Sequence, residues 1–442
     1  MNQRETLCVK DDHLVIGGCD AVSLAAEFGT PLYVMDEAFI RGMCRIYRES
    51  LAEYGPYRVL YASKAFCCKG IYRIVEEEGL GADVVSGGEL YTALSAGMPA
   101  DSIYFHGNNK TVEELEMAVE NGVHAVVLDC LDEIGLLDHV ADSLDKEVGV
   151  LVRVNPGVEA HTHHYIQTAK PDSKFGFNLA AGLAEEAVGA VLKTQHLRLL
   201  GLHAHIGSQI FDKKPFVLAL HKLTDFMKEI REKFGVDCEE LNLGGGFGIW
   251  YSEEDRKIPA SGYAEYTRAL AEALDEDVRE KKLKRPVLVI EPGRSIVGEA
   301  GVTLYTVGAV KEIPGIRKYV SVDGGMFDNP RFALYQARYS AALANRMNDK
   351  AEETVTIAGK CCESGDMLAV DVRLPKAERG DTLAVFSTGA YNYSMASNYN
   401  RNAVPPVVLV CDGRADLLVK PQSYEDLVRN DVIPARLQKA KR

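Results

Sequence analysis

The chain lacks the features that would place it in a membrane, on nucleic acid or outside the cell. Its 442 residues contain no apolar run near the roughly 20 residues that a membrane-spanning helix needs. The formal net charge of -14 argues against a general affinity for nucleic acid or anionic lipid, because both require a cationic face. The first residues, MNQRETLCVKDDH, lack the apolar core of a secretory signal. We therefore expect a cytoplasmic protein that binds neither nucleic acid nor membrane.

Ordered cysteine motifs are missing as well. None of the ten cysteines forms a Cys-x-x-Cys pair, so a structural zinc site built on that spacing is not predicted. Two pairs, Cys67–Cys68 and Cys361–Cys362, are adjacent in the chain, which is a poor geometry for ordinary disulfides. The proportions of apolar (47%) and charged (26%) residues are typical of a globular protein, and the length favours two domains.

Eight short apolar segments follow one another between residues 57 and 294, separated by stretches with helical patterning. Near-continuous apolar composition is typical of parallel strands that are buried on both faces. Eight strand–helix units over about 240 residues predict an α/β fold with a (β/α)8 barrel, and a doubly wound open sheet is the alternative. The segments are RVLYAS (58–63), ADVVS (82–86), SIYFHG (102–107), AVVLD (125–129), VGVLVRVN (148–155), LLGLHAHIGS (199–208), ELNLGGG (240–246) and PVLVIEPG (286–293).

The pattern changes after residue 294. The apolar segments there are short and alternating, and glycine, aspartate and proline interrupt them, which predicts an antiparallel β domain. The N-terminal segments LVIGG and TPLYVMD are assigned to the same domain. We thus expect a barrel at 37–294 and a C-terminal antiparallel β domain at 295–442 that also includes 1–36.

Chemically reactive groups follow several of the predicted strands. In a (β/α)8 barrel, catalytic residues lie at the carboxyl ends of the strands. Lys64 follows the first strand, where desolvation is expected to leave its amine neutral and nucleophilic toward an aldehyde. Glycines at 244–246 and 248 end the seventh strand, and backbone N–H groups without a neighbouring Cβ can close on a phosphate.

The sixth and eighth strands end in further candidates. After strand eight, Glu291 could keep a pyridine nitrogen protonated, and Arg294 adds a cation beside a phosphate or a substrate carboxylate. After strand six, His203 or His205 could stack on an aromatic ring, and Ser208 could donate to phosphate. Together with the lysine after strand one, these groups point to a phosphorylated aldehyde that carries a pyridine ring.

The residues described above belong to motifs through which the chain resembles the group III pyridoxal-phosphate-dependent decarboxylases over roughly residues 30 to 430. Ten motifs carry the resemblance in order, and the last three favour the diaminopimelate branch of the family. They are YASKA (61–65), ADVVSGGEL (82–90), FHGNNK (105–110), SKFGF (173–177), GLHAHIGSQ (201–209), NLGGGFG (242–248), EPGRSIV (291–297), DNPRFALY (328–335), CESGD (362–366) and GAYNYSMASNYN (389–400).

The resemblance implies roles for individual residues and a homodimer with active sites at its interface. Lys64 would hold pyridoxal 5'-phosphate as a Schiff base, His205 would stack on its ring, and Glu291 would pair with its nitrogen. Cys362 would return a proton after carbon dioxide leaves, and it would come from the other subunit, as would Glu363. The remaining cofactor contacts implied are Asp83, Ser208, Gly245, Gly246, Gly293, Arg294 and Tyr391.

The charges of the implied substrate segment favour meso-2,6-diaminopimelate, with L-lysine as product and the last step of lysine biosynthesis as the role. The far end of this substrate carries both a carboxylate and an ammonium. Arginine grips a carboxylate bidentately, whereas glutamate meets an ammonium. Ornithine, arginine, lysine or carboxynorspermidine, as substrates of the same scaffold, are the alternatives. The implied substrate contacts are Arg294, Arg331, Tyr335, Glu363 and Tyr391.

Two readings from other classes compete. A metal-dependent barrel hydrolase could use the His203-x-His205 pair together with His161, His163 and His164, but it would leave the glycine and EPGR motifs unused, so no metal is expected. A non-catalytic binding protein on the same scaffold would be expected to lose the lysine after strand one or the cysteine of CESGD. Alanine racemase shares the barrel-plus-β plan but does not account for CESGD.

Overall fold

The computed structural model describes residues 4–158 and 173–438, which form two compact units. The β unit comprises the described residues of 1–36, 301–388 and 395–442, and the barrel unit comprises those of 37–300 and 389–394. The segment 389–394, expected in the β domain, groups with the barrel because its backbone bonds there. Gly389 N–H donates to Gly298 at 3.0 Å, and Tyr391 N–H donates to Ala65 at 2.8 Å.

The first part of the β unit is a small antiparallel sheet followed by one helix and one strand. Its three strands lie in the order in which they occur in the chain. The elements are β1 (Leu7–Lys10), β2 (His13–Ile16), β3 (Cys19–Asp20), α1 (Ala21–Phe28) and β4 (Leu32–Asp36).

The barrel unit alternates strands and helices. Its elements are α2 (Glu37–Leu51), β5 (Tyr57–Ala62), α3 (Lys69–Glu77), β6 (Gly81–Val84), α4 (Gly87–Ser95), β7 (Ile103–Phe105), α5 (Val112–Asn121), β8 (Ala125–Leu128), α6 (Leu131–Ser143), β9 (Val148–Asn155), β10 (Phe177–Asn178), α7 (Leu183–Val191), β11 (Leu197–His203), α8 (Lys214–Phe234), β12 (Glu240–Asn242), α9 (Ala260–Glu280), β13 (Val287–Ile290) and α10 (Arg294–Val297).

Eight parallel strands close on themselves, which confirms the predicted barrel and excludes the open sheet. The closed order is β5-β6-β7-β8-β9-β11-β12-β13, and β13 pairs again with β5. Each of the eight predicted strand segments overlaps one of these strands, although β5, β6 and β11 begin one or two residues before the predicted segment. The two-residue β10 pairs with β9 outside the closed set.

The local sequence explains why these elements form. All four residues of β8 are buried, as expected for a strand covered on both faces. Inward-pointing side chains from several strands, among them Leu60, Val127 and Val289, form one buried cluster. Helix α5 begins with a capping box between Thr111 and Glu114 and ends at Gly122, whose left-handed conformation is typical of a helix end.

The rest of the β unit forms a nine-stranded sheet around β4. Most neighbouring strands are antiparallel, in agreement with the prediction, but β15 with β17 and β4 with β20 are parallel. None of the described helices has both the length and the apolar composition needed to cross a bilayer. The elements are β14 (Gly301–Ile313), β15 (Arg317–Val322), α11 (Arg331–Tyr335), β16 (Ala341–Leu343), β17 (Glu353–Ala358), β18 (Met367–Leu374), β19 (Thr382–Phe386), β20 (Val407–Cys411), β21 (Arg414–Val419) and α12 (Tyr424–Val428).

Candidate active site

The carboxyl ends of the barrel strands carry the predicted cofactor residues. Lys64 lies in a single 3-10 turn at Ser63–Ala65 directly after β5, and Asp83 lies in β6. His205 follows β11, and Glu291 follows β13 at once. Since all strands of a parallel barrel point the same way, these side chains share one mouth of the barrel.

Lys64 is where the sequence places it, but its surroundings differ from the expectation. We expected burial to desolvate the amine, and that expectation is wrong because the side chain of Lys64 is exposed. Its two neighbours in the turn, Ser63 and Ala65, are buried, so the turn itself is packed and the Lys64 side chain points away from the packed side. Its charge nevertheless acts on the site, since it helps to lower the pKa of His205.

Glu291 contacts three side chains at the mouth of the barrel. Its Oε1 accepts from Asn242 Nδ2 at 2.7 Å and lies 3.0 Å from His106 Nε2, while Oε2 lies 3.3 Å from His203 Nε2. Burial alone would raise the pKa of Glu291, but the two imidazoles outweigh burial and hold this pKa well below its usual range. Glu291 is therefore a buried carboxylate with both oxygens fixed.

Asp83 faces the same imidazole from β6. Its Oδ1 lies 3.7 Å from His106 Nε2, and the residue is 3% exposed. Burial and the nearby negative charge of Glu291 raise the pKa of Asp83, against the opposing charges of His106 and Lys64. The site thus contains two buried carboxyl groups with one imidazole between them.

His205 has the electrostatics of a neutral imidazole. Burial, followed by the positive charges of Lys64 and Arg153, lowers the pKa of His205 well below its usual range. Its Nδ1 lies 3.3 Å from the backbone N–H of Gly245, which donates to it. A half-buried neutral ring at this place is suited to stacking on an aromatic ligand.

Arg294 organises the side of the site where a phosphate was predicted. Its Nη2 donates to Ser208 Oγ at 2.8 Å and its Nη1 donates to the Tyr251 hydroxyl at 2.5 Å. Its Nε is buried and has no hydrogen-bond partner among the described residues. A Cβ on Gly246 would lie 2.1 Å from the carbonyl oxygen of Gly207, so only glycine allows these two turns to approach so closely.

Two further predicted residues lie beside Arg294. Gly293 directly precedes it, and a Cβ there would lie 2.8 Å from the Cβ of Ala62 in β5. Tyr391 places its ring 4.6 Å from the Arg294 guanidinium, an arrangement typical of cation–π contacts. Tyr391 also has a φ of 64°, a left-handed conformation that is strained for a residue with a Cβ and is frequent at functional sites.

The predicted substrate residues of the β unit lie in two segments. Arg331 begins α11, is buried, and donates from Nη1 to the Tyr339 hydroxyl at 2.6 Å, while Tyr335 ends the same helix. Cys362 and Glu363 lie in the loop between β17 and β18, and both are exposed. The Cys362 N–H donates to Asn400 Oδ1 at 2.7 Å, which fixes the backbone of that loop.

The structure separates the two histidines of the metal hypothesis. Among the described residues, the group whose donor atoms lie close enough to hold a metal ion is His106, His203 and Glu291, within 4.8 Å of one another. His205 is not part of that group. The predicted second cluster, at His161, His163 and His164, lies outside the described residues.

Four residues of the site are not among the predicted site residues. His106 and Asn242 contact Glu291, the Tyr251 hydroxyl accepts from Arg294, and Arg153 lies 3.4 Å from Asp129 and 4.4 Å over the ring of Phe175. The sequence did contain a signal for His106, Asn242 and Arg153, because each lies at or next to the carboxyl end of a predicted strand. What it did not contain was the direction in which each side chain points.

These residues fit pyridoxal phosphate. The cofactor presents a phosphate, a ring nitrogen and an aldehyde, and the site offers a chemically matching group for each. The buried Arg294 Nε without a partner among the described residues and the close-packed glycine turns suit an anion, and the ionised Glu291 suits a protonated nitrogen. The exposed amine of Lys64 suits the aldehyde.

Comparisons with known proteins agree with this chemistry. The family model described as pyridoxal-dependent decarboxylase, pyridoxal binding domain, matches residues 39–298. The diaminopimelate decarboxylase of Bacillus subtilis is 53% identical over 421 residues, 95% of each chain. That of Staphylococcus aureus is 49% identical over 96% of this chain and 98% of its own.

A solved structure is similar throughout its length. The diaminopimelate decarboxylase of M. jannaschii, crystallised also with L-lysine, has a TM-score of 0.91 and 38% identity, covering 98% of this chain and 99% of its own. The family match spans more than half of the chain, and the sequence relatives span nearly all of it. This chain therefore belongs to the pyridoxal-dependent decarboxylase family.

Proposed function

We propose that this protein decarboxylates meso-2,6-diaminopimelate to L-lysine and carbon dioxide with pyridoxal 5'-phosphate. The observation that carries the proposal is that Glu291 is ionised, has contacts at both carboxylate oxygens and lies at the same barrel mouth as Lys64. In addition, the relatives that are about 50% identical to this chain are named diaminopimelate decarboxylase. When bound, the cofactor supplies a protonated heteroaromatic ring that accepts the electron pair left by the departing carboxylate.

The barrel residues would bind and orient this cofactor. The Lys64 amine would hold the cofactor through its aldehyde group. Glu291 would hold the proton on the ring nitrogen, and His205 would cover one ring face as a neutral imidazole. Ser208 and Arg294, with Gly245 and Gly246, Gly293 and Tyr391 around them, would hold the phosphate.

The residues of the β unit would recognise the substrate and handle its proton. Arg331 would grip the distal carboxylate, Glu363 would meet the distal ammonium, and Tyr335 would line the same segment. The Cys362 thiol would deliver a proton to the carbon that has lost carbon dioxide. Cys362 is exposed and its loop has a fixed backbone, which suits a thiol that delivers its proton in the active site of a neighbouring chain.

We infer further that the protein is a cytoplasmic homodimer whose active sites combine residues of both chains. Mixing Lys64→Ala with Cys362→Ala chains tests this arrangement, because each inactive parent then lacks a different half of the site. Random dimers should recover about a quarter of the wild-type activity, since half are mixed and one of their two sites is intact. Recovery far below that value would contradict a shared site.

The reaction itself is tested on the purified protein supplied with pyridoxal phosphate. We expect a visible absorbance from the bound cofactor, and equimolar carbon dioxide and lysine from meso-diaminopimelate. Ornithine, arginine and lysine should give kcat/KM values at least about 100-fold lower, because they leave a buried arginine without its carboxylate. Equal turnover of ornithine or lysine would contradict the substrate assignment, and failure to take up the cofactor would contradict the whole proposal.

A further inference from the structure

His106 has a position in the site for which neither the predicted roles nor the proposed reaction provides a use. It follows β7 directly, in the FHGNNK motif, and its backbone N–H donates to the Val84 carbonyl at 2.8 Å. The residue is 5% exposed. A side chain that is buried and ionisable at the carboxyl end of a barrel strand requires a physical explanation.

The imidazole of His106 lies between two acids. Its Nε2 is 3.0 Å from Glu291 Oε1 and 3.7 Å from Asp83 Oδ1. Its ring meets the ring of His203 edge to face at 4.8 Å. Two further charged groups act on it: Arg153, whose guanidinium lies 3.4 Å from the carboxylate of Asp129, and Glu89. The environment of His106 is therefore dominated by two carboxyl groups.

Charge balance decides which imidazole carries a proton. Burial lowers the pKa of His106, but the charges of Asp83 and Glu291 outweigh burial and raise it. Burial instead lowers the pKa of His203 to about 4, so His203 is a neutral neighbour of Glu291. Asn242, a further contact of Glu291, is an uncharged donor. Among the described residues, His106 is therefore the candidate cation in contact with Glu291, and Arg153 adds a more distant positive charge.

We propose that His106 is a positioning residue whose cationic imidazole lies between Asp83 and Glu291 and keeps Glu291 ionised and correctly oriented for the cofactor nitrogen. This inference rests on the proposed function, in which Glu291 serves that nitrogen. Without the imidazolium, two buried carboxylates would face each other and one would take up a proton. If Glu291 took it, the ring nitrogen would lose its anionic partner and the ring would accept electrons less readily.

The variant His106→Asn tests the proposal on the holoenzyme. The asparagine amide cannot carry the charge. We expect the pH midpoint of the cofactor's visible absorbance to move by about half a unit or more, since a nearby charge typically shifts a buried group by at least that much. We also expect kcat to fall about tenfold or more, with KM for diaminopimelate changed less than about threefold, as for a contact that acts in the transition state.

The matched control breaks a similar pair elsewhere in the barrel. His124 Nε2 lies 2.7 Å from Glu240 Oε1, between the chain before β8 and the start of β12. The variant His124→Gln removes a histidine–glutamate contact of the same kind outside the predicted site. It should lower the melting temperature but leave the absorbance midpoint and kcat at their wild-type values.

A double variant separates positioning from packing damage. Adding Asp83→Asn to His106→Asn removes the second negative charge, whose repulsion would otherwise favour protonation of Glu291. The absorbance midpoint should then return toward the wild-type value, whereas packing damage from two neighbouring substitutions would accumulate. A midpoint in the double variant that lies still further from wild type would overturn the proposal.

A measurement on the wild-type holoenzyme covers the case in which the variants do not fold. Nitrogen NMR of histidine-labelled protein, assigned through the His106→Asn spectrum or selective labelling, reports whether His106 is doubly protonated between pH 6 and 8, about the range in which free histidine loses its proton. A neutral His106 would overturn the proposal. If wild-type protein releases no carbon dioxide from diaminopimelate, the proposed function fails instead, whatever the state of His106.

Discussion

The substitution Gly245→Ala should disable the site through one added methyl group. Gly245 lies in the turn after β12, and a Cβ there would lie 2.0 Å from the carbonyl oxygen of Glu291 and 2.9 Å from its carbonyl carbon. Real Cβ atoms essentially never approach other heavy atoms within 3.0 Å. Because the neighbouring atom belongs to the backbone, it cannot rotate away. The two turns must therefore separate by about 1 Å, which is the difference between the 2.0 Å approach and the 3.0 Å limit.

The cost follows from this displacement. Forcing an extra methyl group into a well-packed region typically costs about 1–3 kcal/mol. A domain of this size loses about 2–4 °C of melting temperature per kcal/mol, so a fall of about 2–12 °C is expected. The displaced residue is Glu291, whose contacts to Asn242 and His106 span 2.7 and 3.0 Å. A shift of about 1 Å at a catalytic group can reduce the rate about 100-fold.

The assay compares this variant with Gly189→Ala in α7. There the nearest atoms to the added Cβ belong to the Phe234 ring at 3.6 Å, an ordinary contact. Alanine in a helix interior is favoured over glycine by about 0.5–1 kcal/mol, so this control should be neutral or stabilising. Melting temperature, cofactor affinity and carbon dioxide release are measured for both. If Gly245→Ala matches the control in all three, the reasoning about the glycine turn is refuted.

Three further predictions concern the lysine, the substrate arginine and acid stability. Lys64→Ala should abolish both turnover and the absorbance of the bound cofactor, while Lys69→Ala, an exposed neighbour, should keep both; retained turnover without Lys64 would exclude its role. Arg331→Ala should raise KM for diaminopimelate by about tenfold or more, because a charge-assisted contact is lost; an unchanged KM would move carboxylate recognition elsewhere. Burial raises the pKa of Glu240, but hydrogen bonds from His124 and Tyr104 outweigh burial and lower this pKa. Ionised Glu240 therefore contributes to the free energy of unfolding above about pH 4.3, and this contribution is lost as the pH falls further. Denaturant unfolding of Glu240→Gln should therefore show a weaker loss of stability between about pH 5 and 3 than the wild type, and an equal loss would contradict this.

The barrel was predictable because its signal is local and repeated. Strands buried on both faces, such as β8, are continuous apolar runs. A helix such as α5 has recognisable capping residues at its start, Thr111, and at its end, Gly122. Closure of the sheet could be inferred from the number of units. The parallel pairings of β4 with β20 and of β15 with β17 could not, because register and direction depend on chain segments far apart in the sequence.

The site was predictable only as a set of residue types at strand ends. The rule that catalytic groups follow barrel strands placed Lys64, Glu291 and Arg294 together. It did not show that Lys64 is exposed, because the turn after β5 is otherwise buried and the exposure of Lys64 depends on the direction in which its side chain points. It also left His106 without a role, because its function depends on two acids from other strands.

The succession of strands and helices, the chemical identity of the groups at the barrel mouth, and the glycines that allow close turns can all be inferred without a structure. These follow from short-range patterning and from the chemistry of each side chain. Which groups meet is evident only in the folded chain: Glu291 lies between two imidazoles, Arg294 contacts Ser208 and Tyr391, and residues 389–394 belong to the barrel unit. The physical reason is that charge and hydrogen-bond partners are set by distances of a few ångströms between residues that lie tens or hundreds of positions apart.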